Sequence, residues 1–158
     1  SAFSYLFSEI VQQFNMSDGA LGSPDCELDR ELHAFGVPLG AKVLELTVYR
    51  ERSLNMSNNI CNHGRREVNH VNMLHYINNQ VWKTMFNKTA DGIEQSVDDD
   101  DEYRIIDQSP MTNEFIAQDD DRGELNCANF LAGIIEGILN SSNMPSKVSA
   151  HFVPEDGG

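Results

Sequence analysis

Apolar residues return every three or four positions over most of the chain, which is the spacing of a helix face. Phe3, Leu6, Phe7, Ile10 and Phe14 predict an amphipathic first helix with an aromatic-rich stripe. Residues 15–22 read as a loop. Ser23, Pro24, Asp25 and Glu27 then predict the start of a second helix, with a cap, a first-turn proline and acids at the positive dipole end. Gly36 predicts its end and Pro38 the start of a third helix. In that third helix Leu39, Val43, Leu46 and Arg50 share a face that Leu44 and Val48 widen. A polar Gly/Asn-rich loop follows at 55–64. A long helix is expected from about Arg65 to Phe86, striped by Val68, Val71, Leu74, Ile77, Val81 and Met85.

The second half mixes periods. SVDDDDE at 96–102 reads as an acidic turn, YRIID at 103–107 as a short strand ended by Ser109-Pro110, and NEFIA at 113–117 as another strand. A helix opens after Asn126 and stops before Pro145. KVSAHFV at 147–153 alternates like a half-buried strand. Helices outnumber strands, and the fold class expected is α+β in one domain over 1–158. The chain starts at Ser1 and stops in Pro-Glu-Asp-Gly-Gly, which reads as trimming at both termini.

The last helix poses a question. Asn129, Gly133, Gly137 and Ser141 recur every fourth residue and give it one smooth, small face. Each interior glycine costs about 1 kcal/mol of helix propensity, so the face needs a reason. Tight packing inside the fold, a partner interface and a channel for an apolar ligand all remain open at this point. Glu136, the one charge in mid-helix, either reaches solvent or is paired, since an unpaired buried carboxylate is very costly, and an exposed or interface position is favoured.

Charge narrows the partners. With 25 acids against 11 bases the net charge is −14, which argues against nucleic acid and against anionic lipid and favours a basic protein surface. Three scattered cysteines, Cys26, Cys61 and Cys127, argue for a reducing compartment rather than a disulfide framework. The Asn-x-Ser/Thr sequons at Asn15, Asn55, Asn87 and Asn140 read as chance in an Asn-rich chain. Neither a signal peptide nor a run of about 20 apolar residues is expected.

Catalytic and metal motifs do not emerge. Phosphate-loop, dinucleotide and nucleophile-elbow patterns are missing from the sequence. Cys61, His63, His70 and His75 are the metal-type residues, but His70 and His75 point about 140° apart on a helix. A Cys127/His151 thiolate pair is outweighed by ordinary packing of a small apolar side chain. The acid runs 98–102 and 119–121 lack EF-hand spacing and read as solvated loops. No cofactor, metal or catalytic residue is therefore assigned.

Several segments carry a resemblance. AKVLELTVYRER, VWKTMFNKTADGIEQSVDDDDEYRIIDQSPMTNEFI and LNCANFLAGIIEGILNSSNMPSKVSAHF resemble the small-subunit family of the transport protein particle, TRAPP, and within it the subunit-five branch. Trp82-Lys83 before Phe86, Ala90-Asp91, Glu94-Gln95, Tyr-x-Ile-Ile at 103–106 and Leu-Asn-Cys-Ala at 125–128 fall in that branch's order, and SAFSYLFSEIVQ fits as well. The resemblance implies a two-layer α/β domain with helices packed on a small antiparallel sheet, and a non-enzymatic scaffold subunit of a vesicle-tethering complex that also exchanges nucleotide on a Rab GTPase in ER-to-Golgi transport. It implies a heterodimer with the acyl-binding core subunit and a longin-like subunit at the other face. The GTPase would be met through the complex, and membrane only indirectly. The chain would be cytoplasmic and peripheral to ER and cis-Golgi membranes. Family members dimerise through their first helices, which points to Phe3, Leu6, Phe7, Ile10 and Phe14, with Val43 and Leu46, as the partner interface. Placed in that family, the small face of the last helix reads as packing within the fold. The alternative is a small-ligand or acyl-chain-binding domain with its channel beside Gly133 and Gly137.

Overall fold

A computed structural model describes Glu9 and residues 24–57, 69–108 and 128–151, with side chains in the first long segment described over 29–54. Helix α1 (Pro24–Ser57) is followed by α2 (His70–Tyr76), a π-helical turn (Ile77–Val81) and α3 (Trp82–Phe86), which continue one into the next. Strands β1 (Gly92–Gln95) and β2 (Tyr103–Ile106) form an antiparallel hairpin, and α4 (Ala128–Ser141) closes the fold. The architecture is α+β, as the alternation of periods predicts.

The two helices expected on either side of Gly36 are one helix of 34 residues, about 50 Å long, with Pro38 inside it. Gly36 has no positive φ and terminates nothing. Pro38 is tolerated because it and Ala34, whose carbonyl its missing N–H frees, are both exposed, leaving that carbonyl to water. Gly36 and Gly40 serve another purpose. They lie against Gly133 and Gly137 of α4, and α1 and α4 run in the same direction through this crossing. A methyl group at any of the four positions would lie under 3.0 Å from a main-chain oxygen of the facing helix: Phe130 O for Gly36, Ile134 O for Gly40, His33 O for Gly133 and Val37 O for Gly137. The hydrogen that stands in place of each Cβ aims at that carbonyl, so the helices exchange four weak Cα–H···O contacts. The small face is filled by backbone and leaves no channel at that place.

The helix expected from Arg65 begins at His70. Asn69 has an extended backbone (φ −109°, ψ 133°), and its side chain accepts from the Val71 N–H at 2.9 Å, a side-chain N-cap. The stripe on α2 and α3 is buried as its spacing requires: Leu74, Ile77 and Val81 are inside and Met85 packs against the core. Asn87 (φ 57°) ends α3 in the left-handed region, with its N–H on the Lys83 carbonyl. The core gathers Leu32, Ile77, Val81, Phe130, Ile134 and Ile138 between α1, the α2–α3 rod and α4. Phe35 stacks on Phe130 with ring centroids 6.1 Å apart.

Strand β1 was not expected. GIEQ has no alternation of its own, and it is a strand because it pairs residue for residue with β2, Gly92 opposite Ile106 and Gln95 opposite Tyr103. The acidic stretch turns the hairpin. Asp99 Oδ1 accepts from the Asp101 N–H at 2.9 Å, and the Ser96 N–H reaches the Glu102 carbonyl at 2.8 Å. The NEFIA strand at 113–117 lies outside the described residues.

Helix α4 stops before Pro145, as expected, and Asn143 shapes its end. Asn143 is left-handed (φ 62°) and donates to Asn140 O, while the Met144 N–H donates to Leu139 O and the Met144 side chain is buried: a Schellman end. The segment expected as a strand at 147–153 has no ladder over its described part, 147–151. Its backbone is held by side chains instead. The Val148 N–H donates to Glu136 Oε2 at 3.0 Å, and Val148 O lies 3.0 Å from His33 Nε2, itself 3.3 Å from Glu136. Glu136 is therefore paired and part-buried, not exposed, which corrects the placement expected for it.

Candidate functional site

The metal- and thiol-type residues weighed in the sequence, none of them assigned a role there, are described only in part. His70 and His75 are both exposed, Cys61, His63 and Cys127 lie outside the described residues, and His151 is bonded to the Ser149 hydroxyl at 3.0 Å. Among the described residues no three His, Cys, Asp or Glu side chains gather as a metal site. No described helix is long and apolar enough to cross a membrane.

The motif residues prove architectural. Trp82 Nε1 donates to Asp107 Oδ2 at 3.0 Å, and Lys88 Nζ binds Asp107 Oδ1 at 2.6 Å, so both carboxylate oxygens just past β2 are taken. The Trp82 ring packs edge-on to Phe86, centroids 5.5 Å apart. Asn78, in the π-helical turn, accepts from the Ala90 N–H at 2.8 Å. Asp91 closes the hairpin, its N–H on Ile106 O at 2.8 Å and its carboxylate accepting from the Gln108 N–H at 2.7 Å. These bonds latch the hairpin to the α2–α3 rod. They hold a shape.

What stands out is the outward side of α1. Phe35, Pro38, Lys42, Leu46 and Tyr49 follow at three- and four-residue spacing on one face, and all are exposed. Leu46 keeps 45% of its surface in solvent and Tyr49 69%, high values for large apolar side chains sharing a face. The exposed Lys42 supplies the one charge of the stripe.

Of the residues expected at a partner interface, Leu46 lies on this exposed stripe. Val43, one turn before it, is half-buried and packed against the core. Phe3, Leu6, Phe7, Ile10 and Phe14 lie outside the described residues; Glu9, among them, is helical and exposed. Sequence reasoning missed Phe35 and Tyr49. Their spacing with Leu46 was visible, but breaking the helix at Gly36 cut the stripe in two.

With this geometry in place, comparison with known proteins identifies the family. The family model described as "Transport protein particle (TRAPP) component" matches residues 3–158. A "Trafficking protein particle complex subunit 5" of Dictyostelium discoideum is 38% identical over 159 residues, spanning 99% of this chain and 77% of the relative. The Homo sapiens protein of the same name is 38% identical over 152 residues, 96% of this chain and 73% of the relative. "Trafficking protein particle complex subunit 31" of Saccharomyces cerevisiae is 32% identical over 102 residues, 65% of this chain and 35% of the relative. A family match over nearly the whole length, with the family's motif residues forming the hairpin latch, has one meaning: this chain belongs to the TRAPP component family.

Proposed function

We propose that the chain is a non-catalytic scaffold subunit of a TRAPP complex, docked on the acyl-binding core subunit through the outer face of α1. The observation that carries this reading is the exposed pair Leu46 and Tyr49, with Phe35 at the edge of their stripe where it stacks on Phe130, on a helix whose opposite face is locked into the fold. Large aromatic and aliphatic side chains together on a rigid helix suit the core of a permanent interface. The relatives' names support the assignment, since each is called a complex subunit. The family resemblance adds Phe3, Leu6, Phe7, Ile10 and Phe14 to the proposed partner contact, and a longin-like subunit would take another face. The complex would act as tether and Rab nucleotide-exchange factor in ER-to-Golgi transport, bringing this cytoplasmic chain to ER and cis-Golgi membranes indirectly.

Co-expression with the core subunit tests the reading. A stable 1:1 complex is expected by light scattering, and L46D/Y49D should lose at least 100-fold in affinity, about 2.7 kcal/mol. A monomer that ignores the partner at micromolar concentration, or a double variant that binds as tightly as the parent chain, would overturn it.

A further inference from the structure

An open cleft of about 410 Å³ lies where the C-terminal half of α1 meets α3, away from the outer stripe. Leu54, Met85 and Phe86 form its apolar wall, and Arg50 and Lys83 stand at its rim. Leu54 is 64% exposed there, a large aliphatic side chain left in water beside a cavity. Arg50 and Lys83, like Lys42, Arg52 and Lys147, form no ion pair among the described residues, but these two share one cleft. The acid that shares the cleft, Glu51, accepts a hydrogen bond from the Tyr76 hydroxyl at 3.1 Å.

We propose that this cleft docks an extended segment of a partner protein carrying one apolar side chain beside one carboxylate. The apolar side chain rests on Leu54, Met85 and Phe86, and the carboxylate reaches Arg50 and Lys83. The side chains of Gln80, Thr84 and Asn87 line the same cleft and offer hydrogen bonds to the segment's backbone. Three features select a single carboxylate over an acidic run. The cleft holds two cations against Glu51. The carbonyl end of α3, at Asn87, borders it and disfavours further negative charge. The net charge of −14 repels a polyanion before contact. The cleft's openness suits a chain passing through rather than an enclosed small molecule.

A random twelve-residue peptide library displayed on phage, selected on the full chain, tests this. Enriched peptides should carry Asp or Glu within two positions of Leu, Met or Phe. A synthetic copy of the best peptide, read by fluorescence anisotropy, should lose at least tenfold in affinity on R50E/K83E and on replacing its own carboxylate by an amide. Both cations are exposed and unbonded, so the variant should keep the parent's melting midpoint; R50Q/K83Q serves if it does not. Enrichment of peptides without an acid, affinity within twofold on the charge variants, or no enrichment would each overturn the proposal. Because Lys83 lies on α3 and not on α1, K83E alone should weaken the peptide yet still form the 1:1 complex, which separates failure here from failure of the scaffold reading.

Discussion

The two faces of α1 are built on opposite rules. Inward, Gly36 and Gly40 bring the backbone so close to α4 that a single methyl group has no place. Outward, Phe35, Leu46 and Tyr49 present large apolar side chains to solvent. Tight backbone contact has one solution, so the inner face specifies how this chain folds. Exposed bulk costs nothing in the folded monomer and gains only when covered, so the outer face specifies what the chain joins.

The inner face gives the largest expected effect. Gly133→Leu forces α1 and α4 apart along their whole crossing and should cost about 3 kcal/mol, the upper end for overpacking. Against a typical total of about 5–15 kcal/mol, urea unfolding should show a clear drop in midpoint. If the variant unfolds at the parent's midpoint and instead loses its partner, the assignment of faces is reversed.

A second contrast lies between the glycine crossing and the hairpin latch, which is built from polar bonds. Asp107→Ala strands the Trp82 indole N–H and deprives Lys88 of its partner. A loss of roughly 1–3 kcal/mol is expected, as for a buried donor left unsatisfied. Trp82→Phe removes donor and ring edge together, and in the Asp107→Ala background it should cost far less than alone. Additive losses in that double-mutant cycle would show that Trp82 and Asp107 are not coupled.

The outer face should barely register in the isolated chain. Leu46→Ser with Tyr49→Ser should change unfolding free energy by less than about 0.5 kcal/mol, as for ordinary surface sites. A large destabilisation would mean that the stripe is covered by the chain itself.

Much of this was legible in the sequence, for identifiable reasons. The α2–α3 stripe and the YRII strand followed from spacing, because those elements are amphipathic in the ordinary sense. The GxxxG-like face of α4 was visible, but its answer was not, because the matching glycines sit in α1 where Gly36 and Pro38 imitate a helix stop and start. Tertiary contact overrode those local signals, and the error hid the outer stripe as well. Strand β1 depends on its pairing with β2 and has no local pattern to read. The segment after α4 has the alternation of a strand, yet its described part is tied to His33 and Glu136 instead. A period-2 pattern shows which residues face inward but not what they pair with.

The smallest expected effect tests how far the inner side of α1 reaches beyond the glycines. Past Gly40 the helix continues through Thr47, buried with its hydroxyl on Val43 O at 2.9 Å, to Glu51, which accepts from the Tyr76 hydroxyl. Burial, then the Glu51 charge and the hydrogen bond to it, hold the Tyr76 phenol well above its ordinary 10.0. The sign follows from linkage. Below pH 10 folded and unfolded chains both keep the proton, and the contribution of Tyr76 is complete; above it the unfolded chain ionises while the folded one does not, so stability falls as pH rises. Tyr76→Phe gives up the hydrogen bond and is expected to be slightly less stable at pH 8. It has no proton to lose, so the gap between parent and variant should close between pH 10 and 11 in parallel urea titrations. A gap that stays constant across that range would mean that Tyr76 is not held against Glu51, and that the packed side of α1 ends closer to its glycines.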